Sequence, residues 1–160
     1  MEIVVHSFVT NRLDFCNGIL AGINKELIAK IQRVQNAAAR IVSNCARTDH
    51  ITPILKSLHW LPITKRIDFK ILVLVYKCLH SMAPSYLKDL LQIAVPTRPL
   101  RSSHHCHLVI PKSNLKCSTQ AFSIIGPILW NSLPFYIQCS PNLNIFKARL
   151  KTHLFKSYFT

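Results

Sequence analysis

Six carboxylates, Glu2, Asp14, Glu26, Asp49, Asp68 and Asp89, are the whole acidic supply of 160 residues. Two-metal phosphoryl or nucleotidyl transfer needs carboxylates that bridge ions about 4 Å apart. No two of the six are adjacent or within helical reach of one another. Neither a phosphate-binding glycine loop nor a GxSxG elbow occurs. The best metal-ligand group is His104, His105, Cys106 and His107, with Cys117 further on. Structural zinc sites use two ligand pairs with short spacers, and consecutive residues rarely face one ion, so this cluster reads as a histidine-rich loop. Below about pH 6.5 it adds positive charge. The inventory predicts no enzyme, no metal, no cofactor and no small-molecule substrate.

Charge is the stronger signal. Twenty basic residues against six acidic ones give +14, and after Asp89 there is no acid at all. Arg98, Arg101, Lys112, Lys116, Lys147, Arg149, Lys151 and Lys156 follow it. An excess this large and this uneven favours a polyanion over a merely solvated surface. Lys30, Arg33, Arg40 and Arg47 share one helical flank, and Arg66, Lys70 and Lys77 fall within about 40° of one another on a second helix. With Arg98, Arg101, Lys147, Arg149 and Lys151, these are the candidate phosphate contacts. Trp60, Trp130, Phe135, Tyr136, Phe155 and Tyr158 are available for base stacking, although aromatics at helical spacing more often build a core.

The elements that must carry these residues are helices. Hydrophobic residues make up 49% of the chain, which argues against disorder, and only three glycines interrupt it. Residues 2 to 20 read as a helix or helix plus turn. Asn24 to Cys45 is an amphipathic helix with Asn24 as its cap, and Leu27, Ile31, Val34, Ala38, Ile41 and Cys45 form a heptad-like seam expected to pack on another helix. A short helix spans Thr52 to Trp60. Pro62 opens a helix apolar on almost every face from Ile67 to Met82, which belongs at the centre of a bundle. Asp68, in its first turns, suits the helix dipole rather than catalysis. Ser85 to Gln92 is a short helix, and 93 to 103 a linker. A β-hairpin is expected to pair Cys106 to Ile110 with Leu115 to Ser118. Ala121 to Trp130 is helical with a break at Gly126-Pro127. Ser140-Pro141 starts the last helix, Leu143 to Phe159.

The expected fold is therefore mostly α, an irregular helical bundle around one central apolar helix, with one short hairpin near 106–118. Residues 1–92 form the bundle and 93–160 a basic part packed on it, one domain overall. The uncharged run 117 to 146 is too broken by Pro, Gly and polar residues to span a membrane. Six cysteines without a CxxC pair, Cys45 and Cys78 on apolar faces among them, suit reduced thiols of an intracellular protein, in cytoplasm or nucleus. No signal peptide is legible.

One stretch carries a likeness to a known family. Residues 50 to 62, HITPILKSLHWLP, followed by Arg66-Ile67-Asp68-Phe69-Lys70, resemble the C-terminal region of LINE-type non-LTR retrotransposon reverse transcriptases. The resemblance continues in Asn11-Arg12-Leu13-Asp14-Phe15-Cys16-Asn17, Val34-Gln35-Asn36-Ala37-Ala38-Ala39-Arg40, Ala83-Pro84-Ser85-Tyr86-Leu87, Leu129-Trp130-Asn131-Ser132-Leu133-Pro134 and Phe146-Lys147-Ala148-Arg149-Leu150-Lys151. It implies the basic helical tail downstream of the polymerase palm. The paired catalytic aspartates of that family have no counterpart here, so no catalytic residue carries over. The function expected is a non-catalytic reverse-transcriptase fragment with non-specific RNA or DNA binding. The alternatives are a helix-packing interaction module using the 27-to-45 seam, or an expressed relic without a selected role.

Overall fold

The computed structural model describes residues 2–94, 107–112 and 120–159. They are mostly helical and contain no strand beyond one isolated bridge. Two compact units are present: Met1–Asp68 with Thr152–Thr160, and Phe69–Lys151.

In the first unit a helical stretch runs through α1 (Glu2–Val5), a π-helical turn (His6–Thr10) and α2 (Asn11–Asp14). Cys16, left-handed at φ 51°, turns the chain into a 3-10 turn (Asn17–Leu20). Helix α3 (Lys25–Ser43) starts where the Asn24 side chain accepts the Glu26 N–H at 3.1 Å. It stops at Asn44, whose φ of 50° is tolerated by Asn better than by most residues. Helix α4 (Ile51–Ser57) has Pro53 in its first turn, where a missing N–H costs nothing. His59, also left-handed, ends the turn after it. The core of this unit is Val5, Ala38, Ala39, Ile54, Leu55 and Trp60, with Val9, Val42, Cys45 and Phe159 packed against it.

Helix α3 buries a face rotated from the one its apolar spacing predicts. Of the seam, Ala38 is buried and Cys45 packs on the core, but Leu27, Val34 and Ile41 are exposed, and Gln35 and Ala39 are buried in their place. The cause is Gln35. Its Nε2 donates to the Leu61 carbonyl at 2.8 Å, and its Oε1 accepts from Gln32 Nε2 at 2.9 Å. A polar side chain whose bonds are satisfied can hold a core position.

Helix α5 (Ile63–Leu79) is the central helix, beginning directly after Pro62 as expected. Its Ile63, Ile67, Ile71, Leu72, Val75, Tyr76 and Cys78 are buried. The boundary between the units falls within α5 and again within α9 (Leu143–Phe159). In the second unit Tyr76 stacks on Phe146 with centroids 4.3 Å apart, and Trp130 lies 5.9 Å from Phe146. All three are almost wholly buried, so truncating any one costs about 3–5 kcal/mol. The Tyr76 hydroxyl donates to the Ser140 carbonyl at 2.8 Å.

Helix α6 is only Ser85–Lys88, shorter than expected. Helix α7 (Phe122–Asn131) runs unbroken through Gly126-Pro127. Glycine before the proline removes the Cβ that would clash with the ring. A Cβ there would also lie 3.1 Å from Val75 Cγ2. After α8 (Phe135–Gln138), α9 starts at Leu143 as expected, but its cap is Asn142, whose Oδ1 accepts the Ile145 N–H at 2.8 Å, rather than Ser140. The expected hairpin lies largely outside the described residues. Its described first arm pairs elsewhere, Leu108 bridging Ile93 in antiparallel fashion.

Candidate nucleic-acid interface

The cations named from sequence fall into two groups. Arg66, Arg40 and Arg149 are tied to protein atoms. Arg66 Nη1 lies 2.8 and 2.7 Å from the two carboxylate oxygens of Asp14, and Arg66 Nε donates to the Leu61 carbonyl at 3.0 Å. Arg40 Nη2 donates to the Asp49 carbonyl at 3.1 Å, and the Asp49 side chain accepts the Ala46 N–H at 2.9 Å, closing the loop after α3. Arg149 Nη1 donates to the Tyr136 carbonyl at 2.6 Å and approaches Ser140 Oγ at 3.5 Å. Helical phase alone carries no sign of these bonds.

The second group stands in or near water. Lys30 and Arg33 are exposed on α3, and Arg47 is exposed in the following loop. On α5, Lys70 is exposed and Lys77 half-buried, two turns apart on one side, about 10 Å along the axis. On α9, half-buried Lys147 and exposed Lys151 are one turn apart. Carboxylates hold Arg66 and Lys65, at 2.7 and 3.5 Å, but none of these six lysines and arginines outside the loop nor Arg47 within it. Arg98 and Arg101 lie outside the described residues, as do His104, His105, Cys106 and Cys117. Arg12, Lys25, Lys56, Lys112 and Lys156 are further exposed cations outside the candidate phosphate contacts; Lys156 lies two turns after Arg149 on α9.

Electrostatically the two units differ. Residues 69–151 hold ten of the twenty basic residues and only one acid, Asp89, whereas the other five acids belong with the first unit. There, Asp14 is engaged by Arg66, Asp49 by the Ala46 N–H and Asp68 by Lys65. Burial raises the Asp68 pKa from its ordinary 3.8, with Lys65 opposing the shift through charge and a hydrogen bond.

Among the aromatics, Trp60 and Trp130 belong to the cores. Phe155 is half-buried with its ring stacked on His59 at 5.5 Å. Phe135, Tyr136 and Tyr158 are exposed, so α8 offers ring surface beside the Arg149 guanidinium that its own backbone holds. Among the described residues no group of three His, Cys, Asp or Glu side chains is placed to hold a metal ion. No described helix is long and apolar enough to cross a membrane.

No family model, curated protein or solved structure matches this chain.

Proposed function

We propose that this chain is a basic helical nucleic-acid-binding tail of the kind its motifs resemble, that of a LINE-type reverse transcriptase without the polymerase chemistry. The observation that carries the reading is the charge of residues 69–151, where Lys70, Lys77, Lys147 and Lys151 have no carboxylate to neutralise them. Phosphate is the anion such lysines suit as point charges. Exposed Tyr136 beside Arg149 adds a surface on which an unpaired base can stack.

Residues of the resembling motifs also do structural work. Asp14 meets Arg66, Gln35 meets Leu61, and Asn131 meets Leu108. The likeness thus falls on residues that join distant segments of a folded unit. Binding of this kind is weakly sequence-specific and strongly salt-dependent. Titrating the full chain against labelled single-stranded RNA at two salt concentrations tests it. Affinity falling steeply with salt supports the reading; salt-independent binding, or none, overturns it. A primed RNA template tests the non-catalytic half, since the sequence holds no adjacent aspartate pair and no nucleotide incorporation is expected.

A further inference from the structure

Helix α3 leaves an apolar ridge uncovered. Leu27, Val34 and Ile41 are 43%, 51% and 59% exposed and recur at seven-residue intervals. Lys30 and Ala37, also exposed, alternate with them, giving the 3-4-3-4 spacing of a coiled-coil seam. A single exposed leucine is ordinary, but three branched apolar side chains aligned over about 20 Å are not. The adjoining side of the helix, Gln35, Ala38 and Ala39, is already spent on the core.

We propose that this ridge docks an amphipathic helix whose apolar seam is flanked by acidic residues. Charge selects the occupant. Lys30 stands within the seam and exposed Arg33 lies to its side, and the one acid of the helix, Glu26, sits in its first turn. A second copy of α3 would set these cations against their own kind, with Glu26 alone to answer them; an acidic flank meets them with opposite charge. A nucleic acid would satisfy Lys30 and Arg33 and leave the three apolar side chains in water. Helix-in-groove recognition uses both features together. The nucleic-acid reading is carried by residues 69–151, and shares with this proposal only Lys30 and Arg33 among its candidate contacts.

The test uses the full chain and three labelled peptides of about three heptads each. One has a leucine seam with glutamate flanks, one the same seam with lysine flanks, and one glutamate flanks with a serine seam. The first is expected to bind about tenfold or more tighter than either control. Val34→Ser with Ile41→Ser, and separately Lys30→Glu with Arg33→Glu, each weaken it about tenfold, while Lys147→Gln with Lys151→Gln leaves it unchanged. All four α3 positions are exposed; should the serine pair lose helix content by circular dichroism, the charge-reversal pair decides. Equal binding of a control peptide overturns the proposal, as does no binding at about 100 μM. Sedimentation showing a self-associated chain that Val34→Ser converts to monomer assigns the ridge to a second copy, and displacement of the peptide by homopolymeric RNA assigns it to phosphate; either result overturns the acidic helix.

Discussion

Arg66 reaches back 52 positions to Asp14, and one of its terminal nitrogens sits 2.8 and 2.7 Å from the two carboxylate oxygens. The side chains are 14% and 41% exposed, between a surface pair and a buried one. Asp14→Ala should therefore cost about 1–2 kcal/mol, above a surface pair and below a buried one. Arg66→Ala should cost more, because it also removes the bond from Nε to the Leu61 carbonyl. Arg66→Lys should recover only part of the loss, since lysine cannot address both acceptors at once. Urea unfolding midpoints check all three.

Gln32 and Gln35 join α3 to the start of α5. Gln32 Oε1 accepts the Ile63 N–H at 2.9 Å, the first amide of a helix that otherwise lacks a partner there. Gln32→Ala should cost about 1 kcal/mol, as losing a helix cap does. Gln35→Leu should cost about 1–3 kcal/mol despite adding an apolar side chain to a buried site, because it breaks two bonds in the interior. An unfolding midpoint for Gln35→Leu at or above that of the parent chain would refute this account of why the seam turns outward.

Much of the architecture was legible in the sequence, because Asn24, Pro62 and the run of apolar residues from Ile63 to Leu79 act locally. The same local rules misplaced part of the buried face of α3, the break at Gly126-Pro127 and the cap of α9, whose bounds Leu143–Phe159 are those expected. The first and last depend on side-chain bonds, Gln35 to Leu61 and the Asn142 cap in place of Ser140, while the helix passes Pro127 because Gly126 has no Cβ to clash with its ring. The interface was legible as a set of cations but not as a division between held and free ones. Arg66 and Lys70 are alike in helical phase, yet only Arg66 has a carboxylate waiting for it.

Asp68 gives a pH signature. Its pKa is raised in the folded chain by burial, so the native state binds more protons than the unfolded state between 3.8 and the raised value. Stability from this group is accordingly present below 3.8 and is lost as pH rises through the folded value. Asp68→Asn should raise the urea midpoint at neutral pH relative to the parent chain. The gap should close as pH falls below 3.8, where both carry a neutral side chain. Parallel pH profiles would contradict it.

The thiols should divide by exposure. Cys16 and Cys139 are exposed, Cys45 is half-buried, and Cys78 is buried with its pKa raised by desolvation. Ellman's reagent at neutral pH should modify Cys16 and Cys139 in the native chain and reach Cys78 only after unfolding. Peptide mapping of the labelled sites reads this directly.

Removing phosphate contacts should flatten the salt dependence of RNA binding. Replacing Lys70, Lys77, Lys147 and Lys151 by glutamine should lower the slope of log K against log salt by about 0.7 for each lysine that contacts a phosphate. Arg66→Gln should leave the slope unchanged, since that guanidinium is already committed to Asp14.

The bridge between Ile93 and Leu108 has an aggregation consequence. Bonds from Ala94 N to His107 O and from Val109 N to Gln92 O, both 2.8 Å, make the central pair a non-hydrogen-bonded one. The amide and carbonyl of Leu108 itself therefore point away from Ile93, the pattern of an open sheet edge. Asn131 meets that edge: its Oδ1 accepts the Leu108 N–H at 2.9 Å and its Nδ2 donates to the Leu108 carbonyl at 2.8 Å. One carboxamide stands in for a neighbouring strand, and the extended segment is left with no template at Leu108 on which another chain could grow.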